Sequence, residues 1–112
     1  MAGTFRGVAG LNEYRPFTAE AVAGCLYGLA LGDALGAPTE FLPVAEILRR
    51  FPPGGPQAPP GDTARVTDDT QMALAVGEAI LQARDAGPFS AVSVEPFLRQ
   101  AFIDWLEAPE TP

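Results

Sequence analysis

Two short runs in this 112-residue chain hold the side chains that could do chemistry. The first, "DALGAPTEF" at 33–41, places Asp33 inside small and apolar residues and Glu40 just beyond Pro38. The second, "TDDT" at 67–70, sets two adjacent aspartates between threonines. A charge inside an apolar run is costly unless it is paired, hydrogen-bonded or close to a metal, so Asp33 needs a partner. Adjacent like charges repel, so a cation is a natural complement to Asp68 and Asp69, and carboxylates with a hydroxyl suit Mg²⁺ or Mn²⁺. Plainer roles exist for the same residues. Asp68 followed by Gln71 fits a capping box, and a single glutamate such as Glu40 is most often a solvated surface residue. Spacing alone leaves the capping and metal readings of the aspartates both open.

Composition removes several other chemistries. There is no His, which excludes Ser-His triads and His-ligated zinc within the chain. All seven basic residues are Arg, so there is no lysine for a Schiff base or a P-loop. The glycines from Gly24 to Gly36 recur every four residues, which is not the dinucleotide-binding pattern. A net charge of −7 repels a phosphate backbone, so free nucleic acid is not expected as a partner. Cys25, alone in an apolar run, is expected to be a buried packing residue, and a single cysteine favours the cytoplasm. The N-terminal residues lack the apolar core of a signal peptide, and Asp33 cuts the run from 21 to 32 short of the roughly 18 residues of a membrane span. A soluble protein without a membrane partner is the expectation.

The elements that must position these residues read as helices. Residues 1–17 show no periodicity and are expected to form a loose arm ahead of a single all-α domain over 18–112. Thr18 is a suitable N-cap for a helix over 19–35, which Gly36 and Pro38 end. Within it Gly24, Gly28, Gly32 and Gly36 fall in one ridge, at a cost of roughly 1 kcal/mol each relative to Ala, which predicts close approach of another backbone. A short helix is expected over 43–50, with Pro first and two Arg last. Eight of the ten residues at 52–61 are Pro or Gly, so no regular element fits there; a stiff surface linker or an active-site loop does. A helix over 70–86 would turn Met72, Val76, Ala79, Ile80 and Ala83 to one side. A last helix from near Ser93 would do the same with Val94, Phe97, Leu98, Ala101, Phe102 and Trp105.

Taken together, "GCLYGLALGDALGAPTEF" (24–41) and "TDDTQMAL" (67–74) resemble the N-terminal part of the ADP-ribosylglycohydrolases, a resemblance that extends from about residue 20 to the end. It implies an all-α fold with a binuclear Mg²⁺ or Mn²⁺ site, and hydrolysis of the glycosidic bond between ADP-ribose and a protein side chain or small acceptor. It makes Thr67, Asp68 and Asp69 metal ligands, Glu40 the acidic residue that acts at the anomeric carbon, and Asp33 a support beside the ligands. The substrate it implies is an ADP-ribosylated protein or a small ADP-ribosyl compound.

The chain departs from the family pattern in one respect. The second metal motif of the family, of the type Asp-x-Asp-Thr, does not occur here, so the remaining ligands are absent from these 112 residues. The expectation is an incomplete part of such an enzyme, or else a truncated helical module that binds a partner or an ADP-ribosyl group without catalysis. Amphipathic helices without packing partners would leave apolar faces open, which predicts self-association of the chain alone.

Overall fold

A computed structural model describes residues 18–109. The expected arm at 1–17 lies outside the described residues. Among those described, four α-helices and no strands occur, in agreement with the all-α expectation. Helix α1 spans Ala19–Gly36, with the Thr18 hydroxyl accepting from the Ala21 amide at its start. A 3-10 turn, Ala37–Thr39, follows directly, with Pro38 in it and the Thr39 hydroxyl donating to the Gly36 carbonyl at 2.6 Å. Helix α2, Val44–Arg50, is stitched by Glu46, which accepts from Arg49 and then Arg50; those bonds hold its carboxyl down to about 2.

The Pro/Gly stretch is irregular, and the chain next enters α3 at Asp68–Ala86, two residues earlier than its apolar periodicity begins. The N-cap is Thr67, whose hydroxyl accepts from the Asp69 amide at 3.3 Å, so the capping box with Asp68 and Gln71, one of the two readings left open by the spacing, does not form. Helix α4, Ala91–Glu107, also starts earlier than Ser93. There Ser90 and Ser93 cap one another reciprocally, a box in which serine takes the place usually held by Glu or Gln.

Helices α3 and α4 form the main interface, and α1 meets α3 over a smaller area. The side chains expected on the inner face of α4, from Val94 through Trp105, are all half-buried. Among the described residues the buried apolar core is confined to Ala34, Ala79 and Ala83, and no large side chain is fully buried. Tyr27 is 78% exposed, Phe41 fully exposed and Leu106 75% exposed. The radius of gyration of 18.5 Å compares with about 13 Å for a compact domain of this length, so the helices enclose little of their own apolar surface.

Three expectations change here. Cys25 is exposed instead of buried. Apart from the adjoining backbone of α1 itself, no atom of the described chain lies within 4 Å of a Cβ built at Gly24, Gly28, Gly32 or Gly36, so no other backbone covers the glycine ridge. Finally, α1 with its 3-10 extension, Ala19–Thr39, is long and apolar enough by length and composition to cross a membrane. Asp33 does not shorten it, because the helix runs on through Asp33 to Gly36.

Candidate active site at the α1–α3 junction

Helix α1 delivers Asp33 near its C-terminal end, where the carboxylate meets the start of α3. Oδ1 accepts from the Thr67 hydroxyl at 2.6 Å. Oδ2 accepts from the Thr67 amide at 2.8 Å, the Thr70 amide at 3.2 Å and the Thr70 hydroxyl at 2.6 Å. Two of these donors are backbone N–H groups left without intrahelical partners at a helix start, where a negative charge is also favoured by the helix dipole. This is how an apolar helix carries an aspartate. Its half-burial opposes ionisation, yet the four bonds from Thr67 and Thr70 outweigh that and lower its carboxyl from 3.8 to about 2.

An ionised carboxylate can only accept, so both threonine hydroxyls must donate to Asp33. The Thr67 oxygen has two lone pairs; one takes the Asp69 amide, and the other is left for a further partner. Thr70 is buried, and its hydroxyl is committed to Asp33. The sequence had singled out Thr70 only as a flank of the aspartates; the spacing of Thr67 and Thr70, three residues apart at a helix start, is the signal that they share one acceptor.

Glu40 lies just beyond the 3-10 turn and is exposed. The turn folds the chain back after α1, so that Gly28, Gly32, Gly36, Asp33, Glu40 and Asp69 line one open groove of about 620 Å³. Three of the five residues singled out from sequence therefore share a groove, and a fourth, Thr67, is bonded to one of them. Asp68 is exposed and does not line this groove. Among the described residues, no group of three or more acidic or cysteine side chains is placed to hold a metal ion. The donors present are carboxylate and hydroxyl oxygens, which fit the chemistry of Mg²⁺ or Mn²⁺, and the three carboxylates reach the groove from α1, from the segment after the 3-10 turn and from α3.

An all-α protein with an acidic groove at the junction of two helices is the class these features define. The sequence profile of the ADP-ribosylglycohydrolases matches residues 15–111, and the chain belongs to that family. It is 38% identical over 95 residues to ADP-ribosylhydrolase ARH3 of Gallus gallus, covering 75% of this chain and 26% of that protein. It is 39% identical over 72 residues to the ADP-ribosyl-[dinitrogen reductase] glycohydrolase of Rhodospirillum rubrum, covering 58% of this chain and 24% of that one. A match of 44% over 62 residues links it to the ADP-ribosylarginine hydrolase Tri1 of Serratia proteamaculans, covering 54% of this chain and 16% of that protein. The chain thus spans about a quarter or less of the length of these curated relatives. No solved structure matches it.

Proposed function

We propose that this chain supplies one wall of the active site of an enzyme that hydrolyses the glycosidic bond between ADP-ribose and a protein side chain or small acceptor. The observation that carries the reading is the groove that Glu40 shares with Asp33 and Asp69, beside a Thr67 whose hydroxyl Asp33 orients. The remaining ligands would come from protein outside these 112 residues, which hold no Asp-x-Asp-Thr motif and span about a quarter or less of the curated relatives.

In this reading Thr67, Asp68 and Asp69 hold Mg²⁺ or Mn²⁺, which when bound would orient the ribose hydroxyls as a Lewis acid. Asp33 keeps the Thr67 proton on its own side and leaves a lone pair facing outward. Glu40, on an exposed turn with water access, manages the proton or activates water as positive charge develops at the anomeric carbon. Gly28, Gly32 and Gly36 leave bare α1 backbone on the same groove beside the exposed Leu29 side chain, so a ligand there can meet backbone as well as an apolar contact.

The test is hydrolysis of ADP-ribosyl-arginine and ADP-ribosyl-serine peptides by the full natural protein and its Glu40→Gln variant. Loss of turnover with Mn²⁺ binding retained is expected, whereas full activity in the variant would remove Glu40 from the mechanism. Asp68, which does not line the groove with Asp69, favours a second reading, a helical module that binds an ADP-ribosyl group without cleaving it. Tight ADP-ribose binding by the full protein with no hydrolysis at any metal concentration would favour that alternative.

A further inference from the structure

The first turn of α3, which carries Asp68 and Asp69, is held by Asp33 from the α1 side. On the α4 side, the Trp105 indole Nε1–H donates to the Gln71 side-chain Oε1 at 2.9 Å, across 34 residues of sequence. Gln71 is the fourth residue of α3, and its own amide makes a first helical bond, to the Thr67 carbonyl at 3.3 Å. The nearest fully buried apolar residue of α3 is Ala79, about 12 Å further along at 1.5 Å per residue. Side chains between these points, such as Met72 and Val76, are at most half-buried, and an open cleft of about 330 Å³ runs along α3 and α4 from Gln71 and Trp105 past Ala79 to Gln82, so the hydrogen bond closes one end of that cleft.

We propose that the Trp105–Gln71 hydrogen bond is a positioning contact that fixes the first turn of α3 against α4, in addition to the grip of Asp33 from α1. Trp105 touches no reacting group; it acts through Gln71 on the direction in which Asp68 and Asp69 leave the helix. The consequence for metal binding rests on the function proposed above, while the consequence for the turn itself does not.

Four variants of the full natural chain test this: Trp105→Phe, Gln71→Leu, the double variant, and Gln71→Glu, which keeps an oxygen acceptor for the indole. Amide hydrogen exchange at Thr70 and Gln71 is expected to speed up about three- to tenfold in each of the first two, to no greater extent in the double variant, and not in Gln71→Glu. Mn²⁺ affinity by electron paramagnetic resonance is expected to fall by a similar factor in the same pattern. Unchanged exchange in Trp105→Phe, or additive effects in the double variant, would overturn the contact's role. Absence of Mn²⁺ binding in the unsubstituted protein would instead overturn the metal reading, with the exchange data still deciding the contact. A global loss of stability is recognised by equal acceleration at Ala79 and Ala83.

Discussion

Asp33 gathers four donors onto one carboxylate, and its behaviour with pH follows from that. Its folded value, about 2, lies below its ordinary 3.8. A carboxyl depressed on folding contributes stability that is present above the unfolded value and disappears as pH falls through the folded one. Urea midpoints measured from pH 5 to pH 2 are therefore expected to drop further for the unsubstituted chain than for Asp33→Asn, with the difference concentrated between about pH 4 and pH 2. At pH 7, Asp33→Ala leaves the buried Thr70 hydroxyl without its acceptor and is expected to cost about 2–4 kcal/mol, read from the shift in urea midpoint. At this scale the sequence was informative about which residues matter. A lone charge in an apolar helix demanded a partner, and the partners lay in the other motif. It did not reveal that Thr70 is one of them, because a threonine beside two aspartates reads as part of their motif.

At the scale of elements, the helices stand where apolar periodicity and terminators put them, and the disagreements lie at their starts. Helix α3 begins two residues early because the Asp33 carboxylate satisfies amides that a solitary helix would leave open. Helix α4 begins early because Ser90 and Ser93 satisfy each other. Periodicity sees only side chains that face a core, so a first turn made of polar residues escapes it. Ser90→Ala is expected to destabilise α4 by about 1 kcal/mol, seen as lower helicity and a lower urea midpoint by circular dichroism. A variant as stable as the parent would mean that the reciprocal serine bonds contribute nothing net.

For the molecule as a whole, the inventory of exposed apolar side chains has consequences for behaviour in solution. Tyr27, Leu31, Phe41, Val92 and Leu106 are all more than half exposed, while only alanines form the buried apolar core. Sedimentation of the 112-residue chain alone is expected to show concentration-dependent association, and a monodisperse monomer across the micromolar range would contradict that expectation. The glycine ridge of α1 offers a sharper contrast. With no atom of the described chain near it, Gly28→Ala in the isolated chain should raise stability by about 1 kcal/mol through helix propensity. Gly28→Leu in the full natural protein should lower substrate affinity if a ligand uses the groove, and unchanged affinity would count against that use. Which surface meets the ridge was not legible in the sequence, since small residues admit a ligand and a neighbouring helix equally.

The shared carboxylate also constrains how such a site can change over time. Thr67 and Thr70 both donate their hydroxyl protons to Asp33, so loss of Asp33 strands both hydroxyls, whereas loss of one threonine leaves the other's bonds in place. The dependence is strongest at the buried Thr70, so a relative that has lost Asp33 is expected to carry a non-hydroxyl residue at position 70, while position 67 can keep a hydroxyl as the cap of α3.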